Sequence, residues 1–463
     1  MTLVAGVDSS TQSTKIVVCD ASDGTVVRQA SAPHPAGTEV DPEAWWTAYL
    51  QASQSGLLDG VSALSVAGQQ HGMITLDEDN AVVRPALLWN DTRSAAAAGD
   101  LINELGGRDR WTEAVQVSPV ASLTITKLRW LAEHEPENAR ITRSVVLPHD
   151  WLTQRVLGTR ALVTDRGDAS GTGYWSAATG TYREDLLSLA FGRLLEVPTV
   201  LAPDQPAGHT PEGLLVAAGT GDNMGAALGL DLAAGDIVVS LGTSGTAFAV
   251  HNQPTADPSG TVTGFADATG RFLPLVATLN AARVLTATAA LLGTDLAGLD
   301  DLAAQAKSQS GLVFLPYLDG ERTPDLPGAT GSLTGLTREN MTPEQLARAA
   351  VEGMLCGLAD AVEALTSQGV PLRRLLLIGG AARSAAVQAL APALFGVPVV
   401  VPEPQEYVAL GAAAQAAWAL SGQRLVWPSR PVRTLEPRAA DLAAALDIRS
   451  AYRQARDRVI AQG

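Results

Sequence analysis

The chain has 463 residues, enough for two or more domains with sizeable cores. Its 32 basic residues against 48 acidic ones leave a net charge of −16. That argues against nucleic acid or a membrane surface as partner, because both need a basic field. Hydrophobic residues make up 46% of the chain and charged residues 17%, which excludes a disordered polymer. Two cysteines, Cys19 and Cys356, cannot build a disulfide framework and point to a reduced, cytoplasmic protein. The opening residues lack a basic stretch and meet Asp8 too soon for a signal peptide. The longest apolar stretch, Val408 to Leu420, is rich in Ala and Gly and too short to span a bilayer.

In chain order, Leu3–Val7, Lys15–Asp20 and Thr25–Pro33 read as a β-meander with Ser, Thr, Gly and Asp turns. Asp41-Pro42-Glu43 predicts a helix start, with Asp41 as the cap and Pro42 at the first helical position. Short strands are expected at 64–67, 73–76 and 86–89, then helices over 91–105 and 122–133. Val145–Leu147 and Thr199–Ala202 are short strands or linkers. A second meander starts near residue 236, with strands at 237–240, 246–250, 264–266 and 272–275. Thr342-Pro343-Glu344-Gln345 carries capping-box spacing and predicts a long helix, with Leu346, Ala350, Gly353, Gly357, Ala361 and Leu365 on one face. Leu375–Ile378 reads as a buried strand, and the tail from Ala439 as an amphipathic helix.

One echo links the halves. Asp8-Ser9-Ser10-Thr11-Gln12-Ser13-Thr14 follows one strand, and Ser240-Leu241-Gly242-Thr243-Ser244-Gly245-Thr246 follows another. Thr11 matches Thr243 and Thr14 matches Thr246, a spacing of 243 − 11 = 232 residues, close to half the chain. This suggests a duplicated domain. Read alone, either segment is an ordinary hairpin turn. As a pair at matching positions, their backbone N–H groups and hydroxyls suit polyphosphate.

Asp8 has Ser240 as its counterpart, so a carboxylate stands beside one turn only. Asp is a common turn former. Beside a phosphate it would instead need a cation between them, which suggests Mg²⁺ held through water. Asp222 follows Gly219-Thr220-Gly221 at a helix start. It is either a helix cap or, since Gly219 and Gly221 admit a close substrate, the acceptor of a hydroxyl proton. Gly68-Gln69-Gln70-His71-Gly72 suits hydrogen bonds to a sugar, or is a loop satisfied by backbone. Trp89 could wall such a pocket, and Asp91 equally reads as a cap. Gly379-Gly380 allows flat contact with a nucleoside.

Together these residues resemble the FGGY family of carbohydrate kinases. Gly6-Val7-Asp8 with its turn is similar to the family's first phosphate motif. Gly221-Asp222-Asn223 is similar to its catalytic motif, Leu241-Gly242-Thr243-Ser244-Gly245 to its second phosphate motif, and Gly379-Gly380 to its adenosine motif. Gly68–Gly72, Trp89-Asn90-Asp91-Thr92-Arg93 and the stretch Phe314–Pro324 most resemble members acting on D-xylulose. The resemblance runs from about Val4 to Gly422. It implies an α/β fold of duplicated actin/hexokinase-like, ribonuclease H-like domains with an active-site cleft between them. Residues 1–231 would form the sugar-binding and catalytic domain and 232–463 the nucleotide-binding domain.

The implied activity is ATP-dependent phosphorylation of the C5 hydroxyl of D-xylulose. Asp222 would be the base and Asp8 the acidic residue at the metal end, with Mg²⁺ held through water by both. Gln70, His71, Asn223 and Trp89 would bind the sugar. Ser10, Thr11, Gln12, Ser13, Gly242, Thr243 and Ser244 would hold the ATP phosphates, and Gly379 and Gly380 the adenosine. Partners are then a sugar and ATP, without nucleic acid or membrane, and a homodimer is one open state of assembly. Two departures stand out: the first turn has Ser9, Ser10 and Gln12 where glycines are usual, and the third motif is Gly-Gly-Ala-Ala. Rival readings are a kinase of ribulose, fuculose or glycerol, and an ATP-binding module of the chaperone or actin type. The latter would need a peptide-binding domain or filament insertions.

Overall fold

The computed structural model describes residues 1–428 and 432–461. By contacts the chain divides into two compact units. The first holds Met1–Leu232, Val250–Pro274 and Gln405–Ser429; the second holds Ala233–Ala249, Leu275–Pro404 and Arg430–Gly463.

In the first unit, Leu3–Ser9, Ser13–Asp20 and Val26–Pro33 form an antiparallel meander. Val61–Gly68 runs parallel to Leu3–Ser9 on its other side, and Leu215–Ala217 runs parallel to Val61–Gly68. Pro206–His209 closes the sheet antiparallel. The runs of Val, Ala and Ile in the central strands are buried, as a sheet covered on both faces requires. Trp45, Tyr49, Trp151 and Leu152 pack in one core with Val7, Ile16 and Leu64. The second core is made with the helix Tyr407–Ser421, whose Ala409, Ala413, Ala416 and Ala417 join Val4, Val17 and Ala63. Small residues let this helix lie against the backbone. A Cβ on Gly6 would stand 1.8 Å from the Ala409 carbonyl, and one on Gly411 would stand 1.9 Å from that of Gly225. The apolar stretch at 408–420 is therefore a core helix, and no helix among the described residues is long and apolar enough to cross a membrane.

The second unit repeats the plan. Asp236–Leu241 and Gly245–Ala249 form a hairpin, extended antiparallel by Phe272–Thr278 from Leu275 onward. Arg374–Ile378 runs parallel to Asp236–Leu241, Val399–Pro402 parallel to that, and Val432–Leu435 antiparallel at the edge. Each unit thus holds a three-stranded meander, two parallel strands and an antiparallel edge strand in the same spatial order. The repeat implied by the 232-residue spacing is present in the sheets. The two turns differ in length, however. Ser9 faces Thr14, leaving Ser10 to Ser13 between them, whereas Leu241 faces Gly245 across three residues.

The long helix spans Pro343–Ser367, with Thr342 accepting the Gln345 N–H as its cap. Only this half of the expected capping box forms, because the Gln345 Oε1 is buried without a partner. Near residue 91 the helix starts later than expected, at Ala95. Asp91 does not cap it: its carboxylate accepts from the Arg93 backbone and guanidinium and from Thr38.

Candidate functional site

In the first unit, Asp8 is buried at the end of the strand Leu3–Ser9. The Ser10 hydroxyl donates to its carboxylate. Burial pushes the Asp8 carboxyl up to about 6, with Ser10 and Lys15 opposing and Glu406 reinforcing. Lys15 is itself paired with Glu406 at 2.6 Å.

Asp222 is the first residue of the helix Asp222–Gly229, and the cap position belongs to Gly221. The plain-cap reading of Asp222 is therefore set aside. Its Oδ1 accepts from the Asn223 backbone N–H at 2.7 Å and from the Asn223 side-chain amide at 2.8 Å. Part of its surface still reaches solvent, yet the atoms packed around it push its carboxyl up to about 7. Loss of solvation is the main cause and the Asp8 charge the second.

Gln70 is buried beside it. Its Nε2 donates to the Gly167 carbonyl at 3.4 Å, and its Oε1 lies 3.5 Å from the Asn223 amide. A Cβ on Gly221 would stand 2.9 Å from Gln70 Cγ, so glycine is needed for this approach. His71 has φ +70°, an unusual value for a bulky residue. Its Nδ1–H donates to the Gly171 carbonyl at 2.8 Å. The ring packs 5.5 Å from that of Phe265, supplied by the segment Val250–Pro274. Trp89 is half-buried and donates its indole N–H to Thr11 Oγ1 at 2.9 Å. The structure thus joins Asp8, Ser10 and Thr11 to Trp89, and Gln70 to Asn223 and Asp222. Gln12 is exposed and Ser13 opens the next strand.

In the second unit, Gly242, Thr243 and Ser244 form the hairpin turn, with Thr243 exposed. Sequence patterns gave no sign of Arg283, one residue into the helix Ala282–Leu291. Its Nε donates to the Thr243 carbonyl at 3.3 Å, and its guanidinium pairs with Asp319 at 2.6 Å. A cation therefore stands at this turn. The stretch around Gly320 braces the same region: Glu321 accepts from the Leu279 N–H and the Asn280 amide, and Thr323 donates to the Ala277 carbonyl. Gly379 ends the strand Arg374–Ile378 with φ +90°, and a Cβ there would stand 2.6 Å from the Leu241 carbonyl. Gly380 is exposed with open space where a Cβ would lie.

A further cluster escaped the sequence reading. His149, Asp150, Asp165 and Asp168 are all buried, next to Gly219 and Gly221. His149 and Asp168 lie on separate short helices, Pro148–Leu157 and Arg166–Ser170.

Residues 3–229 match the N-terminal domain, and residues 237–420 the C-terminal domain, of the FGGY family of carbohydrate kinases. The chain belongs to this family of sugar kinases, which draw on ATP. It is 49% identical over 436 residues to a xylulose kinase of Streptomyces coelicolor, covering 91% of this chain and 89% of that one. It is 35% identical to a xylulose kinase of Escherichia coli, covering 82% of each. Among solved structures, the xylulose kinase of Bifidobacterium adolescentis matches with a TM-score of 0.90 at 45% identity, covering 98% of this chain and 99% of that one.

Proposed function

We propose that the chain transfers a phosphoryl group from ATP to the C5 hydroxyl of D-xylulose, giving D-xylulose 5-phosphate and ADP. The observation that carries this reading is the pair Asp8 and Asp222, in which the Asp8 charge helps raise the Asp222 carboxyl, with Gln70 and Asn223 alongside. The xylulose kinases at 49% and 45% identity support the choice of sugar.

A sugar hydroxyl must lose its proton during transfer, and Asp222 takes it. Asn223 holds the Oδ1 of Asp222 with two hydrogen bonds, which leaves Oδ2 to take the proton. Gln70, His71 and Asn223 bind sugar hydroxyls, and Trp89 walls the pocket while its N–H is spent on Thr11. At the first turn the Ser10 and Thr11 hydroxyls are engaged by Asp8 and Trp89. What Ser10, Thr11, Gln12 and Ser13 offer phosphate is therefore chiefly backbone N–H. Gly242, Thr243 and Ser244 hold phosphate in the second unit beside Arg283, and Gly379 with Gly380 faces the adenosine.

Burial holds the Asp8 and Asp222 carboxyls up at about 6 and about 7, and a cation beside them would favour their charged forms. Oxygen donors in that state fit Mg²⁺, held by Asp8 and Asp222 through water. When bound, the ion offsets the charge of the phosphates near these carboxylates. The test is ADP release with D-xylulose, D-ribulose, L-fuculose and glycerol, with the product site located by NMR. Highest kcat/KM for D-xylulose and phosphate on C5 are expected. Preference for another acceptor overturns the reading.

A further inference from the structure

His149 is fully buried, and each ring nitrogen faces an acceptor. Nδ1 stands 2.9 Å from Asp168 Oδ2 and 3.0 Å from Asp150 Oδ1, while Nε2 stands 3.1 Å from the Ala218 carbonyl oxygen. A neutral imidazole has one N–H and one lone pair. In either tautomer it would set a lone pair against an oxygen. A proton on Asp168 would cure only part of this, because Asp150 Oδ1, buried without a hydrogen-bond partner, would still stand 3.0 Å from the bare Nδ1. We infer that His149 is a permanently protonated imidazolium, and that it acts as a positioning residue for the turn that delivers Asp222. This rests on the reading of Asp222 as the base.

The path from His149 to Asp222 is short. Ala218, whose carbonyl takes the Nε2 proton, precedes Gly219, where φ is +86° and the chain bends into Thr220-Gly221-Asp222. A Cβ on Gly219 would stand 2.1 Å from His149 Nε2, so the ring lies directly on the turn. The next carbonyl, of Gly219, accepts from Gln415 Nε2 at 2.8 Å, and Gln415 is itself held by the Ser65 hydroxyl at 2.6 Å. Successive carbonyls before Asp222 are thus gripped by an imidazolium and an amide.

The charged groups acting on the ring are Asp150 on its own helix and Asp165 and Asp168 on the facing one. Asp165 is engaged by the Gly167 and Asp168 N–H groups. Burial lowers the basicity of His149, but hydrogen bonds and charge from Asp150 and Asp168 outweigh it and hold the ring well above its ordinary value. The cation in turn offsets part of the cost of burying these carboxylates: burial still pushes the Asp165 carboxyl up to about 6 and that of Asp168 well above its ordinary value, with His149 opposing. Asp168 Oδ1, buried without a partner, lies 2.9 Å from where a Cβ on Gly221 would be.

The test is nitrogen NMR of the full chain with ¹⁵N-labelled histidine, from pH 6 to 9. His149 is expected to show a proton on both ring nitrogens throughout. A bare Nδ1 at neutral pH, whether from a proton on Asp168 or from a metal in its place, overturns the proposal. Kinetics read the positioning role separately. His149→Lys keeps a buried cation that donates to the same oxygens, and His149→Gln does not. His149→Gln is expected to lower kcat about 10²-fold, the effect of a displacement of roughly 1 Å, with sugar KM little changed. His149→Lys is expected to recover most of that loss. Equal kcat for parent and His149→Gln, or a defect confined to sugar KM, overturns the positioning role. A doubly protonated ring in a chain whose Asp222→Asn variant is fully active faults Asp222 as the base, not the imidazolium.

Discussion

Asp222→Asn separates two consequences that a structural residue would not combine. The amide keeps an oxygen for the two Asn223 hydrogen bonds at 2.7 and 2.8 Å but cannot take a proton. Activity is expected to fall by roughly 10²–10⁴ in kcat, the usual span for a general base. Stability is expected to move the other way. Below 3.8 the folded and unfolded chains both carry a neutral Asp222, and the variant gains nothing. Between 3.8 and about 7 the unfolded chain loses a proton that the folded chain keeps. Above about 7 the folded chain bears the charge at full cost. That shift corresponds to at most about 4 kcal/mol, reduced by the solvent Asp222 still reaches. At roughly 2–4 °C per kcal/mol for a unit of this size, the Tm of the variant should exceed the parent's at pH 8. The two should converge near pH 4. The assays are scanning calorimetry without Mg²⁺ across this range, and ADP release with D-xylulose. Parent-like turnover, or a Tm difference that ignores pH, would refute the reasoning.

His71→Ala is expected to weaken sugar binding by about 1 kcal/mol, one hydrogen bond to an uncharged partner, and to spare ATP binding; calorimetric titration with each ligand checks this. Asp8→Ala is expected to lower activity most at low Mg²⁺, whereas the Asp222→Asn defect in kcat should persist at saturating Mg²⁺, as titration of rate against Mg²⁺ will tell. Gly6→Ala would put a Cβ 1.8 Å from the Ala409 carbonyl, and it is expected to destabilise the first unit by more than about 3 kcal/mol, read as a large drop in Tm.

What the sequence disclosed, and what it withheld, follows the range of the physics. The two turns were legible because hairpins write themselves locally in Ser, Thr and Gly. The helix start at Asp222 was legible because Gly219 and Gly221 stand within the three residues before it. Arg283 was not, since a single Arg near a helix start has no pattern, and only the fold brings it to Thr243. Asp91 looked like a cap because nothing local reveals that Thr38 and Arg93 claim its oxygens. His149 and Asp168 are 19 residues apart on two short helices, and their partnership exists only through burial. The place of the helix Tyr407–Ser421 is set by close approach to Gly6, some 400 residues earlier, and to Gly225, some 190 residues earlier.

That last arrangement has a consequence for how the protein is made. Synthesis runs from the N-terminus, yet the sheet face that carries Gly6 and Ala63 is covered by residues beyond 405. Until that stretch leaves the ribosome, Val4, Val17 and Ala63 present an uncovered apolar surface. At 5–20 residues per second, the wait from residue 232 to residue 421 lasts roughly 10–40 seconds. For this interval the nascent first unit is an open surface that chaperones can grip and other chains can stick to. Folding of its inner layer is therefore a late event, and any fragment ending near residue 231 would carry the proposed base without the helix against which its own helix, Asp222–Gly229, packs.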